Sequence, residues 1–151
     1  MPQSSFVVQV SDWVSQSQAR IDTVFKESAG RVVSIMQTTA KEGGAMAVDT
    51  GFLRASIRVT FGAPTFANVP QPRPKPEKGS IPYDDKSVDL SIAGAPLGET
   101  IFVTYGANYA GHVEYGTSKM QGRGFVRLAA MQWPVIVAEV SAELKTRIEA
   151  P

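Results

Sequence analysis

The chain has no cysteine and a single histidine among its 151 residues. The first absence excludes disulfides, thiolate metal sites and cysteine nucleophiles, and is compatible with a reducing compartment. The second leaves any imidazole chemistry resting on His112 alone. Charge of one sign is scarce too. Fifteen Lys and Arg face fourteen Asp and Glu, a net of +1, so no global field steers the protein toward nucleic acid or an anionic membrane, and steering must come from local patches. No apolar run approaches the roughly 18 residues of a membrane span, and PQSSFVVQVSDW lacks the basic leader and long apolar core of a signal peptide. The expectation is a protein made and used in the cytoplasm, with no membrane partner. With 43% hydrophobic and 19% charged residues, the composition suits one globular domain over 1–151. A chain of this length buries about two thirds of its unfolded surface.

Apolar residues at helical spacing, Val14, Ile21, Val24, Phe25, Val32, Ile35 and Met36, predict a long helix over 11–42. Ser11 is the expected N-cap, and Gly43 and Gly44 the stop. At about 45 Å it exceeds what a domain of this size needs for its own core, so part of it is expected to meet another subunit. Asp49 or Thr50 should cap a short helical turn through Ser56, and Ile57–Phe61 reads as a strand. Pro70, Pro72, Pro74 and Pro76 then alternate with Gln71, Arg73 and Lys75. Lacking every second amide donor, this segment cannot join a central strand or a helix, and an extended loop or arm is expected over about 62–86.

Ser87–Ala93 and Thr100–Tyr105 read as two strands of one antiparallel hairpin turned by Gly94–Gly98. Asn108 should cap a helical turn ended by Gly116. A last helix should begin at Gly124, with Pro134 kinking or restarting it. The expected fold is α+β: a small antiparallel sheet packed by long N-terminal and C-terminal helices, with a protruding proline-rich loop.

An enzyme reading would rest on His112 and Glu114. On a helical turn, positions two apart point about 200 degrees away from each other, so the pair cannot share one ion or one proton. A divalent site would need further ligands, and the only tight acidic pair is Asp84-Asp85. The expectation is no catalytic residue, no metal and no cofactor, with His112 partly buried and bonded to a loop carbonyl. Gly122-Arg123-Gly124 lacks the spacing and the Lys-Ser/Thr ending of a phosphate-cradling loop. After Glu114, Lys119, Arg123 and Arg127 meet no acid, so this glycine-rich loop must present its charge to water or to a partner. No recognition helix or aromatic platform accompanies it, which argues against sequence-specific DNA binding and leaves non-specific contact open.

Val48-Asp49-Thr50-Gly51-Phe52-Leu53-Arg54-Ala55-Ser56-Ile57, followed by Tyr109-Ala110-Gly111-His112-Val113-Glu114-Tyr115-Gly116-Thr117-Ser118-Lys119-Met120 and Gly124-Phe125-Val126-Arg127, resembles the neck and tail-completion proteins of long-tailed bacteriophages. In that family a "VDTG.LR.SI" block precedes a "YA..VE.GT..M..RPF.RPA" block. The resemblance covers about half the chain, with Gly124 where the family usually has proline and with the proline-rich segment outside its common core. It implies a non-enzymatic virion component at the head-tail junction, assembled in the host cytoplasm as a ring of six or twelve copies around the DNA channel. The implied partners are the capsid connector or adaptor, the tail terminator or the tail tube, with non-specific DNA contact in the channel.

Closed rings need two different complementary patches on each subunit. The candidates are Lys119, Met120, Arg123 and Arg127 in the basic loop, and Arg73, Lys75 and Lys78 in the arm. Asp49, Thr50, Gly51, Leu53 and Arg54 are expected to hold the turn after the first helix against His112, Glu114, Tyr115 and Gly116, by capping and by an Arg54–Glu114 ion pair. Three alternatives stand beside this reading: a non-specific DNA-binding protein, another small tail component such as a tail terminator, and a small metal-dependent hydrolase.

Overall fold

The computed structural model describes residues 5–150. Helix α1 runs Phe6–Gln37, capped by the Ser5 hydroxyl, which accepts from the Val8 amide at 3.3 Å. The helix therefore starts a turn and a half before the expected Ser11 cap, because the valine-rich stretch Phe6–Val10 continues the helical register. It also ends before Glu42. The β-branched Thr38 and Thr39 take extended conformations, and Thr39 and Glu42 form a capping box over a separate 3₁₀ turn, Ala40–Glu42.

A short helix α2 (Phe52–Ala55) leads into strand β1 (Ile57–Phe61), which pairs antiparallel with β2 (Ile101–Tyr105), Ile57 opposite Tyr105 and Phe61 opposite Ile101. The fold is α+β, with a long N-terminal helix, a C-terminal helix and this two-stranded sheet.

The hairpin expected from 87–93 is not formed, because that segment is helix α3 (Asp85–Ala93). Val88, Leu90 and Ile92 alternate as in a strand, but only Val88 and Ile92, one helical turn apart, are buried, while Leu90 is 73% exposed. The Asp84 carboxylate accepts from the Ser87 amide at 3.1 Å and starts the helix. Strand β2 therefore finds its partner in β1, some 40 residues back in the chain.

Helix α4 (Ala110–Tyr115) ends at Gly116 as expected, but Asn108 does not cap it. The Asn108 amide instead donates to the Val69 carbonyl at 2.8 Å. Helices α5 (Phe125–Ala130) and α6 (Trp133–Glu149) follow, with Pro134 in the first turn of α6, so the proline restarts the helix. By length and composition Phe125–Glu149 could pass for a membrane span, but it is interrupted between α5 and α6, and buried Ala129, Ile136 and Val140 mark an inward face.

Helices α5 and α6 lie on α1. Trp133 meets Phe25 edge-on at 6.1 Å, and Arg31–Glu143 and Arg147–Glu27 form bidentate ion pairs between α1 and α6. Two apolar clusters complete the interior: Val33, Ile57, Val88 and Ile92 between α1, β1 and α3, and Met46, Leu53, Ala107, Val113 and Phe125 between the two motif blocks.

Candidate assembly surface

Glu114 is 7% exposed, and its carboxylate turns inward. Its two oxygens accept from the Val126 and Arg127 amides, each at 2.9 Å. The side chain thus caps α5 from the last turn of α4, satisfying two amides that a helix start leaves unpaired. Main-chain bonds join the same elements: Arg123 N–H donates to the Val113 carbonyl at 2.8 Å and Gly124 N–H to the Glu114 carbonyl at 3.0 Å. The loop between them closes on itself through Thr117 N–H to the Met120 carbonyl at 2.8 Å.

Glycine is required where this loop folds back. A Cβ on Gly122 would come within 2.5 Å of the Tyr115 carbonyl carbon, and one on Gly116 within 2.5 Å of the Gly122 nitrogen. Gly124 adopts φ +61, which proline cannot reach, and the Arg127 guanidinium lies over its open side. Lys119, Met120, Arg123 and Arg127 are all exposed on this backbone, and among the described residues none of the three cations has an ion-pair partner.

The expected Arg54–Glu114 ion pair is absent, because Glu114 is engaged by amides and Arg54 faces another way. Arg54 Nε donates to the Gln37 carbonyl at 2.9 Å, and its guanidinium stacks 4.7 Å over the Tyr83 ring. The buried Gln37 side chain answers, its Nε2 donating to the Arg54 carbonyl at 2.9 Å while its Oε1 accepts from the Tyr105 hydroxyl at 2.9 Å. Burial pushes the Tyr105 phenol well above its ordinary value, which keeps it protonated as a donor. Sequence reasoning missed Gln37 and Tyr83. An amide at the end of an apolar stripe was the only signal of the first, and nothing local marks the second.

The proline-rich arm is stitched to the turn 49–51. Gly79 N–H donates to the Asp49 carbonyl at 2.7 Å, Ile81 N–H to the Thr50 carbonyl at 2.9 Å, and Gln71 Nε2 to the Thr50 hydroxyl at 3.0 Å. Asp49 pairs with Lys75 at 2.6 Å, both largely exposed, so of the three candidate arm cations Arg73 and Lys78 lack an ion-pair partner among the described residues. Thr50 performs part of the expected capping, its hydroxyl accepting from Phe52 N–H at 3.2 Å, while Gly51 occupies the N-cap of α2 at φ +94. Leu53 is buried in the cluster that joins the two motif blocks.

His112 is exposed, against the expectation of a partly buried imidazole. With Glu114 turned inward, the two side chains do not converge. Among the described residues no group of three or more His, Asp or Glu is placed to hold a metal ion. A mostly apolar cleft of about 300 Å³ beside the loop is lined in part by Phe66, Tyr115 and Val126, with Phe66 91% exposed.

No protein-family model, curated protein or solved structure matches the chain.

Proposed function

We propose that the protein is a structural component of a tailed-phage virion, a neck or tail-completion subunit that forms a ring at the head-tail interface and joins the capsid connector to the tail around the DNA channel. The observation that carries this reading is the hydrogen-bonded basic loop. Lys119, Arg123 and Arg127 have no ion-pair partner among the described residues and stand on a backbone held by Glu114 and by Gly116 and Gly122, which admit no side chain, so the loop is preorganised to contact a neighbour. The two resembling blocks also share one apolar cluster through Leu53, Val113 and Phe125, as expected if they form one functional unit. Acidic patches on adjacent virion proteins, or phosphates of DNA passing through the ring, suit the loop chemically.

The test is Arg123→Glu. Its side chain is exposed, so the subunit should keep its melting temperature while particles accumulate as unjoined heads and tails. Normal infectious particles from this variant would remove the loop from the joint.

A further inference from the structure

The apolar face of α1 does not end where its own chain stops covering it. In the C-terminal half of the helix this face lies against α5 and α6, with Phe25 on Trp133. Toward the N-terminus it continues past Ile21, which borders clefts with Trp133 and with Leu97, and beyond that no element among the described residues covers it. Val7, Trp13 and Ile21 are 75%, 69% and 69% exposed, and Phe6, Val10 and Val14 are exposed beside them.

The spacing within this overhang is regular. Val7, Val14 and Ile21 repeat every seven residues, and Val10, Ser17 and Val24 fall three residues after each of them, which is the seam of a coiled coil. Phe6 and Trp13 lie one residue before Val7 and Val14 and widen the face to one side. A helix with one seam serves one neighbour, whereas a face this wide offers a seam to each of two.

Charge narrows the choice of occupant. Between Phe6 and Val24 only Asp12, Arg20 and Asp22 are charged, and no cation precedes Arg20, so neither nucleic acid nor an anionic bilayer is invited. The exposed side chains offer roughly 600–800 Å² in total, about 300–400 Å² to each of two neighbours, so the helix contact supplies part of the about 800 Å² per partner of a standard interface and the rest of the subunit completes it. We infer that the overhang of α1 packs between the same helix of two neighbouring copies, so that α1 helices form a closed bundle on one side of the ring. The inference rests on the ring of the proposed function and names the surface that closes it.

The absence of cysteine makes the test direct. In the full chain, Trp13→Cys combined with Val14→Cys places one thiol on each side of the face. Mild oxidation should produce a ladder of cross-linked species extending beyond the dimer, whereas Ala19→Cys, on the opposite face, should produce none. A ladder that stops at the dimer, or no cross-link, overturns the inference. Trp13→Asp with Val14→Asp should reduce the native mass to that of a monomer with unchanged circular dichroism, and an intact assembly from this variant also overturns it.

Native mass of the unmodified protein separates the two levels. A ring without the ladder sinks the helix contact alone, and a monomer, including one that floats with phosphatidylcholine vesicles, sinks the ring as well.

Discussion

Gln37 and Arg54 hold each other twice: the arginine Nε donates to the glutamine main-chain carbonyl, and the glutamine amide donates to the arginine main-chain carbonyl, each at 2.9 Å. This reciprocal pair ties the end of α1 to the turn that opens the first motif block. Truncating either side chain leaves a partner carbonyl without its bond at a partly buried site.

Arg54→Ala is therefore expected to lower stability by about 1–3 kcal/mol, through the lost bond to Gln37 and the lost stack on Tyr83. Chemical denaturation measures it. Because Arg54 and Glu114 share no contact, Arg54→Ala and Glu114→Gln should be additive within about 0.5 kcal/mol, and a larger coupling would restore the ion pair that the geometry denies.

Glu114→Ala removes the acceptor of two α5 amides at once and should cost about 2–4 kcal/mol. Glu114→Gln keeps one carbonyl acceptor and should cost less. Amide hydrogen exchange supplies the specific readout: Val126 and Arg127 should lose protection before the rest of α5, and uniform loss along the helix would contradict the capping role.

Ser28 is fully buried, and its hydroxyl has no hydrogen-bond partner among the described residues. Since an unsatisfied buried hydroxyl is destabilising, Ser28→Ala is expected to raise stability by about 1 kcal/mol, seen as a higher denaturation midpoint with unchanged slope. A lower midpoint would show that the hydroxyl is satisfied in solution.

The ion pairs between α1 and α6 set an acid limit. A hydrogen bond from Arg147 holds Glu27 below the ordinary carboxylate value of 4.5, and one from Arg31 does the same for Glu143. A carboxylate whose folded pKa is depressed contributes stability above its unfolded pKa and loses it as pH falls through the folded value. The midpoint should thus hold from neutral pH to about pH 5 and fall below it, and the fall should be shallower in Glu143→Gln. Glu143 is exposed and Glu27 half-buried at the surface, so added salt should weaken the effect.

Much of the architecture was legible because it depends on neighbours in the chain. The α1 periodicity, β1, the stop at Gly116 and the restart at Pro134 each follow from residues within a turn or two of one another. The segment 85–93 misled for the same reason: Val88, Leu90 and Ile92 fit a strand and a helix equally, and only the position of α1 and β1 decides that Val88 and Ile92 face inward while Leu90 does not. The arm was legible as non-helical, yet nothing local announced that its amides would return to Asp49 and Thr50.

The amino-acid order by itself determined where the chain can bend, where it can be helical, and that three cations after Glu114 have no nearby acid to answer them. Tertiary structure decided the partners: Arg54 for Gln37 and Tyr83, Glu114 for two amides of α5, β2 for β1, and an α1 overhang that no element among the described residues covers. The division has a physical cause. Turn and helix preferences act between residues a few positions apart, whereas the partner of a buried polar group is whichever donor or acceptor packing brings within hydrogen-bond distance, however far away it lies in the chain.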